Sequence, residues 1–97
     1  MATGTGTATI DFGSTHPGNN EASVVVTGQT GILATDHVEA WFMSESTADH
    51  TASDHRMADT LIDLTAGNIV AGTGFTLYAT SWQKFTGTFK VHFVWAS

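Results

Sequence analysis

Apolar and polar residues alternate along most of this chain with the two-residue period of a β-strand. The alternation runs through residues 8–12, 38–43 and 75–80, and it is longest in residues 85–95. Such a pattern is typical of strands that place one face in a core and the other towards solvent. Short stretches of turn-forming residues separate these segments. The sequence therefore predicts an all-β fold, a small antiparallel sandwich or barrel of about six to eight strands.

Three segments depart from simple alternation. Residues 24–26 are three consecutive valines, which indicates a strand covered on both faces, by the core and by a neighbour. Residues 66–68 (Ala-Gly-Asn) are expected to form a turn. In residues 56–65 we expect strand or irregular structure, with a short helical turn as the alternative. Asp54 is a candidate cap for such a helix, although no Glu or Gln stands at the capping-box position.

The length of 97 residues predicts one domain. We expect residues 1–7 to be an N-terminal arm or an edge strand and residues 8–97 to form a single β domain. The N-terminus lacks the basic and apolar regions of a secretory signal, and no apolar run approaches the roughly 20 residues that span a bilayer. No membrane association is therefore expected.

The charge of the chain argues against nucleic acid as a partner. The formal net charge is −6, and residues 1–55 contain no Lys or Arg. Binding to nucleic acid requires a basic patch that displaces counterions from phosphates. The chain also has no cysteine, so added stability has to come from packing, a metal or oligomerisation.

The sequence shows no pattern of an enzyme active site, so neither catalysis nor a cofactor is expected. Ser, His and Asp are present, but there is no Gly-x-Ser-x-Gly elbow. The dipeptide Asp-His occurs three times, and two copies lie in residues 49–55. Their spacing matches no named zinc or calcium loop, so no resident metal is expected. If the loop does hold a metal, His50 and His55 are the candidate ligands, including for an ion shared between copies in a trimer.

Large aromatic and sulfur-containing side chains give the candidates for an interface. Trp41 and Met43 share a strand face with Glu39, an unusual combination for a face turned to solvent. We expect an oligomer or partner interface formed by Trp41, Met43, Trp82 and Trp95. The alternative is a platform for stacking sugar rings, with Trp82 as its best single candidate.

Five segments together resemble short proteins encoded among the virion structural genes of tailed bacteriophages: ATIDFG, HPGNNEASVVVTGQTGI, DHTASDHR, AGTGFTLYAT and FTGTFKVHFVW. The resemblance covers most of the chain. It implies a virion protein, synthesised in the host bacterial cytoplasm, with a small β fold that forms trimers or other homo-oligomers. The implied role is a capsid decoration (cement) protein that stabilises the shell by binding the major capsid protein. The alternatives are a tail- or fibre-associated protein and a glycan-binding β-sandwich module.

Overall fold

A computed structural model of the chain describes residues 3–96 and is built mainly of strands. The elements in chain order are β1 (Thr3–Asp11), β2 (Asn19–Val26), β3 (His37–Phe42), α1 (Ala52–Leu61), β4 (Ile62–Val70), β5 (Gly74–Phe85) and β6 (Thr88–Ala96). This arrangement confirms the predicted all-β class with one short helix. Among the described residues no helix is long and apolar enough to cross a membrane.

The strands form two antiparallel three-stranded sheets that pack face to face. Sheet 1 has the order β1-β6-β3, and sheet 2 has the order β2-β5-β4. The two central strands, β5 and β6, are consecutive in the chain, so the chain changes sheet between them. Contacts of β1 with β2 and of β3 with β4 complete the two long sides of the sandwich.

The core consists of side chains that alternate along the strands and point between the sheets. In β6 every second residue is at most 4% exposed: Phe89, Val91, Phe93 and Trp95. This confirms the face predicted from alternation. Phe12 and Phe89 pack edge to face with ring centroids 5.9 Å apart, an arrangement that aromatic pairs favour.

The alternating segment 85–95 is interrupted at residues 86–87: Phe85 is the last residue of β5, and residues 88–95 belong to β6. β5 ends at Phe85, and Gly87 has a φ of +82°, a region that side-chain-bearing residues rarely adopt. The Gly87 N–H donates to the carbonyl of Gly13 at 2.7 Å, and its own carbonyl accepts from the Phe12 N–H at 3.0 Å. These bonds hold the crossover from sheet 2 to sheet 1.

Residues 56–65 straddle the boundary between α1 and β4, so the prediction of strand or irregular structure was wrong for the first half. The helix begins at an N-cap, Thr51, whose side chain accepts from the Asp54 N–H at 3.2 Å. Asp54 in turn accepts from the Thr51 N–H at 3.2 Å. Aspartate thus takes the place that Glu or Gln usually holds in a capping box.

Two further expectations are corrected. The predicted turn at residues 66–68 lies inside β4, where the register shifts between Gly67 and Val70 and Asn68 has a φ of +50°. Of the three valines, Val26 is buried and Val25 is 68% exposed. Within the chain this strand is therefore covered on one face only.

Candidate functional site: the open edge between β3 and β4

A cleft of about 630 Å³ lies between β3 and β4 along one side of the sandwich. Each of these strands pairs with only one other strand of the described chain, so each has one backbone edge without a strand partner. The inward-facing side chains along the cleft are only partly covered by the core: Val38, Ala40, Leu64, Ala66 and Ile69. We call this surface the edge cleft. It presents apolar side chains beside two strand edges.

Asp36 lies in the wall of the edge cleft directly before β3 and is 7% exposed. Its Oδ2 atom accepts a hydrogen bond from the Leu33 N–H at 2.9 Å. Its Oδ1 atom is buried and has no hydrogen-bond donor within residues 3–96. Leaving a buried carboxylate oxygen unpaired costs free energy. A molecule that brings an N–H or O–H group, including water, would recover part of that cost.

Trp41 lines the cleft and is 38% exposed, and Met43, which directly follows β3, is 47% exposed. The indole of Trp41 stacks on the His92 ring with centroids 6.4 Å apart and planes 20° from parallel. His92 also forms a hydrogen bond with Glu45, and Lys90 Nζ lies 3.3 Å from the same carboxylate. These neighbours fix the indole while leaving much of it uncovered. The structure thus shows the exposed apolar pair that the sequence indicated.

The charge of Glu45 is stabilised by the same neighbours. The hydrogen bond from His92 is the main cause that holds the pKa of Glu45 below its ordinary value, and Lys90 acts in the same direction. Partial desolvation of the carboxylate acts in the opposite direction. These contacts favour the charged carboxylate, which keeps His92 oriented beneath Trp41.

The other two interface candidates lie elsewhere. Trp95 is 4% exposed, and its Nε1–H donates to Gln29 Oε1 at 2.9 Å. It belongs to the core of this chain and is not available to a partner, which corrects its assignment to an interface. Its position on the same strand face as Phe93 already carried that signal. Trp82 is 99% exposed but belongs to sheet 2, away from β3.

The two candidate metal ligands, His50 and His55, both pack on the ring of Phe89. The buried His55 donates from Nδ1 to the Thr51 carbonyl at 2.9 Å and accepts at Nε2 from the Lys90 N–H at 3.0 Å. His50 places Nε2 2.6 Å from the Thr86 carbonyl and Nδ1 3.2 Å from Asp54. All four ring nitrogens are thus engaged by protein groups, which a metal would have to displace. Across residues 3–96 no three His, Asp or Glu side chains form a group suited to a metal.

Asp49, in the same loop, has a role that the sequence did not indicate. It accepts hydrogen bonds from the side chain and the backbone N–H of Thr88, at 2.7 and 2.8 Å. These bonds, the side-chain one foremost, hold the pKa of Asp49 below its ordinary value. A Cβ atom on Gly87 would lie 2.9 Å from Asp49 Cβ and 3.1 Å from His50 Nε2. The second and third Asp-His dipeptides therefore fasten the loop before α1, and α1 itself, onto the start of β6.

The residues of the edge cleft could not be named from the sequence. Alternation in residues 38–43 placed Val38 on the face opposite Trp41, but it does not say which strands end up at the edge of a sheet. Comparison of the chain with protein-family models, with curated proteins and with solved structures gives no match.

Proposed function

We propose that this chain is a self-assembling structural protein of a tailed-bacteriophage particle, with capsid decoration as its role. The observation that carries self-assembly is the edge cleft with the exposed Trp41 and Met43 beside it. The assignment to a virion rests on the resemblance of the five sequence segments.

The opposite side of the sandwich offers a surface that suits the edge cleft. β1 pairs with β6 in an uninterrupted register over nine residues, and it has no charged residue before Asp11. Natural edge strands usually carry Lys, Pro or a bulge that blocks pairing with another chain. β1 has none of these over residues 3–11. In a closed ring such as a trimer, the β3–β4 side of each copy would meet the β1–β2 side of the next.

For a chain of this size, the free energy gained by burying such an interface is large relative to the stability of the fold. A stable interface covers about 800 Å² on each partner, roughly a seventh of the 5569 Å² surface of this protein. Removing about 400 Å² of apolar surface from water contributes on the order of 10 kcal/mol before the cost of association. That gain is comparable to the whole stability of a small domain.

The charge also suits a decoration role. A cement protein that binds the assembled shell and not the free capsid subunit stabilises the shell by mass action. Its net charge of −6 disfavours association with the packaged genome, because phosphates attract basic surfaces.

Two experiments test the proposal. Sedimentation velocity of the purified chain between 1 and 100 µM is expected to show a trimer or another closed oligomer. A species that stays monomeric over this range contradicts self-assembly. Mass spectrometry of gradient-purified particles from a producing strain should detect the chain, and an electron-microscopy map should place it on the capsid. Its absence from those particles contradicts the virion role, and density on the tail instead would replace decoration by a tail role.

A further inference from the structure

Trp82 is 99% exposed although it lies within a strand. Thr80 pairs with Glu21 and Phe85 pairs with Asn19, so four residues of β5 lie opposite the single residue Asn20. The Asn20 side chain donates to the carbonyl of Ser81 at 3.3 Å and ties this bulge to β2. The bulge projects the indole away from the sheet, where no part of the described chain covers it.

A second aromatic ring shares this surface. Tyr78 is 38% exposed, and the exposure pattern alternates from Tyr78 through Thr80 to Trp82. The three side chains therefore stand on the outer face of sheet 2, and the strand rise puts the Cα atoms of Tyr78 and Trp82 about 13 Å apart. The amide of Asn68 donates to the Tyr78 hydroxyl at 2.5 Å, which fixes the orientation of the phenol.

Polar groups line the space between the two rings. Thr80 pairs with Glu21 on one side and Asp63 on the other, so two carboxylates flank the gap. Neither carboxylate takes part in the ion pairs of residues 3–96. One shallow depression of about 290 Å³ joins Asp63 and Thr80 to Trp82, and another of about 470 Å³ joins Glu21 and Thr80 to Tyr78.

This combination is suited to sugars. A pyranose ring has an apolar C–H face that stacks on an indole or phenol, and hydroxyl groups at its edge that donate to carboxylates. A protein partner would bury both carboxylates against the aromatic rings, which is costly without matching charges. The paired carboxylates also repel phosphates, sulfates and uronic acids.

We propose that the outer face of sheet 2 is a binding site for a neutral oligosaccharide long enough to contact both Tyr78 and Trp82. One sugar ring stacks on Trp82, a second stacks on Tyr78, and Glu21 and Asp63 accept hydrogen bonds from hydroxyl groups between them. The site is separate from the edge cleft and goes beyond the proposed assembly role.

The test is a panel of neutral oligosaccharides built from glucose, galactose, mannose and N-acetylglucosamine, with sulfated and sialylated chains as anionic probes. Binding to the purified chain is measured by calorimetry and by tryptophan fluorescence. We expect at least one neutral oligosaccharide to bind. The substitutions Trp82→Ala and Tyr78→Ala should each weaken that binding at least tenfold. Asp63→Asn and Glu21→Gln should weaken it less. Because Trp82 and Tyr78 are exposed, circular dichroism should show all four variants folded.

The control is Met57→Ala on α1, at a 58% exposed side chain outside both proposed surfaces, which should leave sugar binding unchanged. The proposal is overturned if none of the neutral probes binds at millimolar concentration. It is also overturned if the protein prefers the anionic probes, or if Trp82→Ala binds sugar as well as the wild type does. Loss of oligomerisation in Trp82→Ala, with no sugar bound by the wild type, would make this face a subunit interface instead. Sedimentation of the same variants separates the two proposals, since failure of sugar binding leaves assembly through the edge cleft intact.

Discussion

His55 on α1 accepts a hydrogen bond at Nε2 from the backbone N–H of Lys90 on β6, at 3.0 Å. The ring is fully buried, and its Nδ1–H donates to the Thr51 carbonyl at 2.9 Å. Because Nε2 accepts from a backbone N–H, the ring carries its proton on Nδ1. A single side chain thereby joins the helix to the central strand of sheet 1.

Replacing His55 by Ala should lower the free energy of unfolding by about 3 kcal/mol. The substitution leaves the Lys90 N–H and the Thr51 carbonyl without these partners, and it opens a void against Phe89. Urea unfolding followed by circular dichroism measures the change.

The matched control is His16→Ala, at an exposed position in the β1–β2 loop, where we expect a change within about 0.5 kcal/mol. Equal effects of the two substitutions would contradict the structural role of His55.

The stability of the protein should fall in acid, in part through Asp49. The bonds from Thr88 lower the pKa of this carboxyl in the folded state, so the folded state favours the charged form. The resulting stabilisation is complete above the unfolded-state pKa of about 3.9, and it is lost as the pH falls through the lower folded-state pKa. Asp54 and Glu45 also have lowered pKa values and act in the same direction.

Asp49→Asn should therefore be less stable than the wild type at pH 7, and it should lose less stability between pH 5 and pH 3. Unfolding by urea at pH 7, 5, 4 and 3 gives the comparison, with the exposed Asp59→Asn of α1 as the control. If the free energy of unfolding falls equally steeply with decreasing pH in Asp49→Asn and in the wild type, the hydrogen bonds from Thr88 do not cause the acid destabilisation.

The sequence predicted the features that depend on neighbours along the chain. Alternation placed Phe89 and Val91 on the buried face and Trp41 on the exposed one. The alternation missed the boundary at Gly87 because Phe85, before the crossover, and Phe89, after it, both point into the core. Their ring centroids lie 5.9 Å apart. Alternation distinguishes buried from exposed side chains, but it does not show that the chain passes from one sheet to the other.

The features that depend on distant pairing could not be predicted. Trp82 stands free because a bulge in β5 lies opposite Asn20, some sixty residues earlier in the chain. The edge cleft exists because β3 and β4 pair on one side only. The histidines of the DHTASDH segment are metal-ligand residue types, but the Nε2 atom of each bonds to a distant backbone group, at residue 86 or residue 90, which carries no signal in the sequence.

Gly4 is required by the indole beneath it. A Cβ atom at this position would overlap the indole of Trp95, and that ring is 4% exposed and held by its hydrogen bond to Gln29. Gly4→Ala should therefore cost about 1–3 kcal/mol and change the fluorescence of Trp95.

Gly67→Ala is the control, because its Cβ atom would meet Tyr78 at an ordinary 3.4 Å. Thermal unfolding of the two variants side by side tests the difference. A Gly4→Ala variant as stable as Gly67→Ala would mean that β1 can lift from Trp95 without penalty.

Assembly through the edge cleft should depend on Trp41 and Met43. If both side chains are buried between copies, replacing both by Lys should weaken association by at least about 2 kcal/mol, or roughly thirtyfold in the dissociation constant. Because folding is coupled to association, the midpoint of thermal unfolding of the wild type should rise with protein concentration. In the double variant this rise should disappear.

The control for assembly is Val25→Lys, which introduces the same charge at a 68% exposed apolar position on sheet 2. It should keep both the oligomer and the concentration dependence. Sedimentation and thermal unfolding at 1, 10 and 100 µM measure all three proteins. If the double variant assembles like the wild type while Val25→Lys does not, the copies must meet through the outer face of sheet 2, and the edge cleft is not the interface.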